Sequence, residues 1–325
     1  MINCCIIISI LLFSIFLFPT GVCTTYYKET EIISRQQSTV IKGVAILLIL
    51  ISHISNTMET VIFTPLGGIG VAMFLFCSGY GLNESFKKKG LSNFWGKKIA
   101  HVLIPYAIVI TCVLISLHRV AFPDYLLDIL GLKTTFWFVA YIIKWYIVFW
   151  LSSLLSKNYR IILMLVVALL FFMSLPEIEA EQSLSFIMGV LVSHNICNLR
   201  KVAKTKFVKV SIFLLVIGVL ALSLKQLPQI RFAANTVFNF VQMLIKLPFA
   251  LGVIGLCLVS KKVQNSRMLN FTGLISYELF LLQMPFYNQL NGSLLNSLLF
   301  ILALYPSSWL FFKFNNLVVN LLKLK

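Results

Sequence analysis

Long apolar runs recur along the whole chain, and they restrict what it can fold into more than any other feature. A run of about 20 apolar residues, wound as a helix, covers a hydrocarbon core of ~30 Å. Of the 325 residues, 59% are hydrophobic and only 11% are charged, against roughly 25% charged in a soluble domain. This composition rules out an ordinary water-soluble protein and disfavours a disulfide scaffold or a nucleic-acid-binding module. It predicts an all-α, polytopic membrane protein.

Breaks rich in charge, Pro, Gly and Asn divide the chain into candidate membrane spans, so we expect a bundle of about 10–11 transmembrane helices. The spans cover, approximately, residues 3–22, 40–57, 66–83, 99–117, 134–155, 159–175, 184–199, 208–225, 237–259, 270–289 and 292–312. Residues 1–39 are predicted to be a membrane anchor helix with a short cytoplasmic linker, and residues 40–325 a membrane domain. The first span can also be interpreted as a cleaved signal peptide, although it lacks the basic residues that normally precede one.

Charge is distributed unevenly between the loops. The net charge of +17 arises from 27 Lys and Arg against 10 Asp and Glu. Alternating loops place most of the cations on one side and only Arg119, Lys133, Lys225 and Arg231 on the other. Cationic loops stay in the cytoplasm, so we expect a protein of the cytoplasmic (plasma) membrane with its N-terminus outside and its C-terminus inside. Seven scattered cysteines without CxxC spacing indicate neither a metal site nor a disulfide framework.

Lys42 and His53 are the notable polar residues of the span 40–57. They are 11 residues apart, which on a helix is three turns plus about 20°, so they share a face and lie about 16 Å apart along the axis. We expect His53 near mid-bilayer, where an ionisable side chain is a functional-site hypothesis. A neutral histidine that bonds to a neighbouring helix is the structural alternative, and the residues alone leave both open.

Short motifs follow one another in order along the chain. They are a basic residue, a Gly and an apolar run leading to His (42–53), GGIGVAMFLFCSGY (67–80), a basic turn before a Pro-Tyr helix start (94–106), Phe-Trp-Phe (136–138), SFIMGVL (185–191) and GLISYELFLLQ (273–283). This ordered set resembles the acyltransferase-3 family of polytopic membrane proteins, especially its sugar and polysaccharide O-acetyltransferase branch. The resemblance covers about residues 40–310.

Three positions depart from the family pattern. Lys42 stands where the family more often has Arg, which keeps the charge but loses the bidentate fork. His101 replaces the second Arg of an Arg-x-x-Arg pattern and is charged only part of the time near neutral pH. Gln283 occupies the place of a frequent His, so no catalytic role is carried over to it. These departures leave open a catalytically inactive member that only binds an acyl or lipid ligand.

The resemblance implies transfer of an acyl group, usually acetyl, from cytoplasmic acyl-CoA to a hydroxyl of a sugar or an envelope or surface glycan. Acetyl-CoA or another acyl-CoA would be the cosubstrate, and no metal is implied. The residues expected to bind the CoA phosphates are Lys42, Lys97, Lys98 and His101. The positive-inside rule alone also explains any one of these lysines. His53 would act as general base or as transient acyl carrier, and the sequence does not separate the two routes.

Other polar residues of the motifs have two interpretations. Ser78, Trp137 and Tyr277 are predicted substrate contacts, although Ser and Tyr also hydrogen-bond between helices. Glu278 is the second predicted catalytic residue, either orienting or acidifying His53 or acting directly as acid or base, but a structural pair with Lys144 accounts for it equally well. The glycines from 67 to 81 are expected to permit close helix packing rather than to form a phosphate loop.

A transporter or flippase for a glycan or lipid-linked substrate is the alternative from another functional class. Multiple spans and buried charges suit it equally, but we find no repeat between the two halves and no paired Gly- or Pro-broken helices. The expected partners are the lipid bilayer, acyl-CoA and the glycan acceptor, with no nucleic acid. No pattern in the sequence indicates an oligomeric state.

Overall fold

A computed structural model describes residues 33–116, 122–129, 134, 136–195, 204–287, 290 and 292–322. Within these ranges all regular structure is helical, as the hydropathy pattern predicts. The helices are α1 Arg35–Thr57, α2 Thr64–Lys89, α3 Phe94–Lys98, α4 Ile104–Ser116, α5 Phe122–Ile129, α6 Trp137–Ser152, α7 Lys157–Ser174, α8 Glu177–Ala180, α9 Ser185–His194, α10 Lys204–Lys225, α11 Pro228–Arg231, α12 Asn235–Val259, α13 Lys261–Gln264, α14 Arg267–Leu274, α15 Ser276–Gln283 and α16 Leu294–Leu321. A 3-10 turn, Val61–Phe63, precedes α2, and a π-helical turn, Ile99–Leu103, joins α3 to α4.

Six helical segments of the described chain are long and apolar enough to cross a membrane, judged by length and composition. They are Arg35–Thr57, Val61–Lys89, Phe94–Ser116, Lys204–Lys225, Asn235–Val259 and Leu294–Leu321. The helices α6 and α7 are apolar but shorter. The protein is therefore a multi-pass membrane protein. The predicted span 3–22 lies outside the described residues.

Two predicted spans differ from the observed elements. The predicted span 184–199 contains α9, a helix of 10 residues that is about 15 Å long and covers half of a hydrocarbon core, and residues 196–199 of this span lie outside the described residues. The predicted span 270–289 is divided at Ile275 into α14 and α15, each 8 residues long. At this division the Ser276 hydroxyl donates to the Gly273 carbonyl at 2.9 Å, which satisfies one of the carbonyls that an ended helix leaves free.

The helix α1 begins earlier than the apolar run because Ser34 caps it. The Ser34 hydroxyl accepts from the backbone N–H of Gln37, and the Gln37 side chain accepts from the backbone N–H of Ser34, which together form a capping box. Residues 35–39, predicted as part of the linker, are thus the first turn of α1. His53 then lies one turn before the helix ends at Thr57, nearer to this end than the predicted mid-bilayer position.

The helix α1 lies at the centre of the bundle and packs against α2 and α14, while α2 also packs against α9 and α12. In its apolar window 67% of the residues are buried, against 17% in α10 and in α16. The outer helices therefore expose Leu, Val and Phe side chains, which suits contact with lipid. The polar side chains carried by α1 and α2 lie in the interior, where a site can form.

Glycines set the close approach of α2 to α9. A Cβ atom on Gly79 would meet the carbonyl of Phe186, and one on Gly189 would meet the carbonyl of Phe76. The expected packing role of the α2 glycines is confirmed at Gly79 and at residues 67, 68 and 70, which also lie against neighbouring atoms. The expectation is wrong at Gly81, where an added Cβ meets no atom within 4 Å.

Candidate active site

A cavity of about 260 Å³ lies beside the Arg35 half of α1, where α1, α2, α3 and α6 meet. Three of the four predicted CoA-binding residues line it, Lys42, Lys97 and Lys98, and so does the predicted substrate contact Ser78. The complete lining consists of Lys42, Cys77, Ser78, Gly81, Leu82, Ser85, Phe86, Gly90, Ser92, Phe94, Lys97, Lys98, Tyr146 and Phe149. It contains three lysines and no carboxylate, so this lysine cavity suits an anion.

Aromatic rings hold Lys98 in the lysine cavity. Its Nζ atom lies 4.5 Å from the centroid of the Tyr146 ring and 5.7 Å from that of Phe94, both within cation–π range. Lys42 and Lys97 are close enough to interact electrostatically with Lys98. Residues from three separate helices, α1, α3 and α6, therefore converge here.

The π-helical turn Ile99–Leu103 separates the lysine cavity from His101. Such turns insert an extra residue into a helix and change the direction of the side chains that follow. His101 is exposed and is not among the residues that line the cavity. It interacts electrostatically with Lys98, but the structure does not bring its ring to the three lysines.

Two predicted substrate contacts lie away from the lysine cavity. The Tyr277 hydroxyl donates to the backbone carbonyl of Val102 at 2.9 Å, which ties α15 to the π-helical turn. Trp137 packs against the rings of Phe138 and Tyr141 at the start of α6. Neither residue lines the cavity. Ser78 does, and its side chain faces the hydroxyl of Tyr146.

His53 lies toward the other end of α1 from Lys42. Its imidazole stacks on Tyr287, with the ring centroids 4.5 Å apart and the planes 15° from parallel. The side chain of Gln283, which is 0% exposed, faces the ring. Among the described residues, neither amide atom of Gln283 nor Nδ1 of His53 has a hydrogen-bond partner of good geometry. Three buried polar atoms of two neighbouring side chains are thus left without a hydrogen-bond partner, which is uncommon in a protein interior.

The lysine cavity ends before it reaches His53. Ile46 and Ile49 occupy the intervening positions on this face of α1, and both are buried. Neither residue nor His53 is among those that line the cavity. Lys42 and His53 therefore lie on the same helix, as predicted, but buried side chains separate the lysine cavity from the His53 ring.

The predicted pairing of Glu278 with Lys144 is wrong. Glu278 accepts a hydrogen bond from the Asn315 side chain at 3.3 Å, on α16. Lys144 forms an ion pair with Glu179, its Nζ atom 2.6 Å from the Glu179 carboxylate. Glu179 lies in α8, the short helix that follows α7.

Residues that follow α7 form a buried polar cluster that the sequence analysis missed. Glu181 pairs with Lys246 of α12, and both side chains are buried. The Gln182 side chain donates to the Gly68 carbonyl at 2.9 Å, beside the start of α2. The available signal was charge balance, because Lys246 is one of two lysines inside apolar runs and needs a buried carboxylate. The described residues bring together no three His, Cys, Asp or Glu side chains that could hold a metal ion.

Fold and site together define a multi-pass helical membrane protein with a cationic interior cavity and a separate buried histidine. The sequence profile of the acyltransferase-3 family, which describes an acyltransferase domain, matches residues 36–321. The chain belongs to this family and is a membrane acyltransferase. No curated protein and no solved structure gives a significant match.

Proposed function

We propose that the protein transfers an acyl group, in the first instance acetyl, from cytoplasmic acyl-CoA to a hydroxyl of a sugar in an envelope or surface glycan. The observation that carries the proposal is the convergence of Lys42, Lys97 and Lys98 on one cavity beside the helix that also bears His53. The family supplies the reaction class. The three lysines support acyl-CoA as the donor, because its phosphate groups are anionic.

The lysine cavity suits the phosphate groups of CoA. A bias of lysines toward the cytoplasm explains why such residues occur in these loops. It does not explain why three of them, from α1 and α3, turn inward to one cavity without a carboxylate. The interior of a protein strengthens their attraction for a phosphate anion. On this proposal the Lys42 end of α1 faces the cytoplasm, in a plasma membrane with the N-terminus outside and the C-terminus inside.

His53 is the proposed general base. Its imidazole takes the proton of the acceptor hydroxyl as the oxygen attacks the thioester carbonyl. The C–S bond then breaks, and the thiolate leaves as CoA thiol after taking that proton. In the second route the imidazole nitrogen attacks the thioester carbonyl, the C–S bond breaks, and the thiolate leaves as CoA thiol with the N–H proton of the ring. The acceptor hydroxyl then attacks the acyl-imidazole, the C–N bond breaks, and the hydroxyl proton returns to the ring. Glu278 has no assigned step, because its partner is Asn315.

Gln283 is a proposed positioning residue for the acceptor or the acyl carbonyl. Its amide can both donate and accept, and it is buried beside the His53 ring. The acyl arm of the donor must pass Ile46 and Ile49 to reach this place, about 16 Å from Lys42 along α1. Those two side chains therefore have to change rotamer during the reaction.

Purified protein, incubated with labelled acetyl-CoA and a glycan acceptor, tests the proposal. We expect acceptor-dependent release of CoA thiol and labelled acceptor, and a loss of about 10²- to 10⁴-fold in rate for His53→Gln. Binding of acetyl-CoA to His53→Gln should stay unchanged, which shows that the variant has folded. His101→Ala, at an exposed position, is the matched control. Movement of acceptor across the membrane without thiol release would support a transporter and contradict the proposal.

Label retained on the protein separates the two chemical routes. If His53 carries the acyl group, denatured protein quenched without acceptor should hold label that hydroxylamine removes. If His53 is only a base, no such label should form, while the transfer rate in the presence of acceptor remains the same.

A further inference from the structure

A second cavity, of about 250 Å³, adjoins the lysine cavity and shares Phe86 with it. We call it the arginine cavity. It is lined by Asn83, Phe86, Lys87, Leu155, Arg160 and His194. These residues come from the end of α2, the turn between α6 and α7, the start of α7 and the end of α9. The sequence motifs gave no role to any of them.

Arg160 is the unusual member of the arginine cavity because it is only 6% exposed. Its guanidinium lies 4.7 Å from the Phe86 ring centroid and 5.5 Å from that of Phe149, and both rings also line the lysine cavity. One nitrogen, Nη2, donates to the Asn83 side chain, whereas Nε has no hydrogen-bond partner. Within the described part of the chain, no carboxylate lies at ion-pair distance from Arg160. Because burying a charge without a counter-ion costs free energy, an anion that binds beside Arg160 would stabilise it.

Glu84, the acidic side chain connected to Arg160 through hydrogen bonds, already has its own partners. Its carboxylate lies 2.8 Å from the Lys87 Nζ atom and accepts from the Ser193 hydroxyl at 2.6 Å. Asn83 donates to the same hydroxyl at 2.7 Å, so Asn83 and Ser193 connect Arg160 to Glu84. With two cations and one carboxylate, the arginine cavity keeps a net positive charge. The hydrogen bonds hold Arg160 in place while its Nε remains available.

Size argues that the lysine cavity accommodates only part of the proposed donor. At about 260 Å³ it is smaller than the ~300–1,000 Å³ of pockets that enclose a whole small-molecule ligand. CoA also carries phosphate in two separate places, a pyrophosphate in its chain and a phosphate on the 3′-hydroxyl of its ribose. Two neighbouring cationic cavities match two separate phosphate groups.

We infer that Arg160 and Lys87 bind the 3′-phosphate of the acyl-CoA donor, while Lys42, Lys97 and Lys98 face the pyrophosphate. The inference rests on the proposed function, since it requires acyl-CoA as donor. A guanidinium suits a phosphate monoester because two of its N–H groups can bond to two phosphate oxygens at once. The phosphate of a lipid headgroup has related chemistry and is the competing occupant.

Binding of CoA and of dephospho-CoA, which lacks only the 3′-phosphate, to the purified full-length protein tests the inference. The wild type should bind CoA at least about tenfold more tightly. In Arg160→Gln the affinity for CoA should fall about 10- to 100-fold while that for dephospho-CoA stays the same, so the selectivity disappears. Lys87→Ala should act in the same direction but more weakly. Lys89→Ala removes an exposed charge from the same helix and should change neither affinity.

Two results would overturn the inference and leave the proposed function intact. One is a wild type that binds both nucleotides equally. The other is an Arg160→Gln variant that lowers both affinities alike, with phospholipid retained by the wild type and lost by the variant, which assigns the cavity to a lipid headgroup. If Arg160→Gln does not fold, the affinities of Lys87→Ala for CoA and for dephospho-CoA provide the same test. A protein that binds neither nucleotide and transfers no acetyl group contradicts the proposed function itself.

Discussion

The imidazole of His53 and the phenol ring of Tyr287 stack with their centroids 4.5 Å apart and their planes 15° from parallel. The two residues come from α1 and from the turn after α15, so the stack joins two elements that are distant in the sequence. Gln283, one turn earlier than Tyr287, faces the same imidazole. The Tyr287 ring covers one face of the imidazole and thereby restricts rotation of the His53 side chain.

Changing Tyr287 tests whether the stack positions His53. Tyr287→Phe keeps an aromatic ring, so we expect kcat to stay within about twofold. Tyr287→Leu removes the ring, and we expect kcat to fall about tenfold, because aromatic pairs contribute roughly 0.5–1.5 kcal/mol beyond burial. The KM for acetyl-CoA should not change in either variant. Steady-state kinetics on purified proteins measure this, and equal losses in both variants would argue against a role of the stack.

Hydropathy predicted the long helices of this fold but not its short ones. Runs such as 237–259 are apolar over most of a membrane-spanning length, so length and hydropathy identify a helix, here α12. The residues of α9 are just as apolar, yet this helix is short. Its start depends on tertiary contacts, because a buried polar turn, residues 181–183, precedes it, and Gly189 lets it lie directly against α2. Such tertiary conditions leave no trace in a hydropathy pattern.

The candidate site was predictable where charge stood out against apolar surroundings. Lys42 and Lys98 were found in this way, and the structure places both in one cavity. Tyr146 and Arg160 were missed because their importance lies in contacts from α6 and α7 to distant helices. The partner of Lys144 was predicted wrongly, because Glu177, Glu179 and Glu181 all follow α7 and only the fold shows that Glu179 is the one within reach.

Lys98 and His101 should behave differently although both were predicted to bind CoA. Lys98 lines the lysine cavity, so Lys98→Met should raise the KM for acetyl-CoA about tenfold, equivalent to ~1.4 kcal/mol. We expect kcat to stay nearly the same, because the contact is made equally before and during the reaction. His101→Ala should change the KM less than twofold. Initial rates over a range of acetyl-CoA concentrations measure both values.

Salt provides an independent check on the same contact. Added salt screens charge attraction, so the wild-type KM for acetyl-CoA should rise as ionic strength increases. This rise should be smaller in Lys98→Met, which has one charge fewer. A salt response identical in both proteins would argue against phosphate binding at Lys98.

Gly79 and Gly81 provide a matched pair for the packing of α2 against α9. A methyl group at position 79 would meet the Phe186 carbonyl, whereas one at position 81 meets no atom within 4 Å. Overpacking of this kind typically costs 1–3 kcal/mol. We therefore expect Gly79→Ala to unfold at a clearly lower temperature than the wild type, and Gly81→Ala to match it. Thermal unfolding in detergent measures the difference, and equal melting temperatures for the two variants would contradict the close approach.

Lys246 and Glu181 form a buried pair whose members should depend on each other for stability. Lys246→Met leaves the carboxylate buried without its cation, and breaking a buried pair in this way costs about 3–5 kcal/mol. The double variant Lys246→Met/Glu181→Gln removes both charges, so it should regain most of that loss. Thermal unfolding of the wild type, both single variants and the double variant measures the coupling, and additive losses would exclude it.

The stability of Lys246→Met should also depend on pH with a definite sign. Burial raises the pKa of the Glu181 carboxyl, and Lys246 opposes that rise. Without Lys246 the folded state binds a proton more readily than the unfolded state, so this group stabilises the fold at low pH and loses that contribution as the pH rises through its raised pKa. The deficit of Lys246→Met relative to wild type should therefore shrink as the pH is lowered toward about 4.3, the ordinary carboxyl value. Adding Glu181→Gln should abolish this pH dependence, because the amide has no proton to gain, and a deficit that persists unchanged at low pH would show that Lys246 stabilises the protein by some means other than its charge.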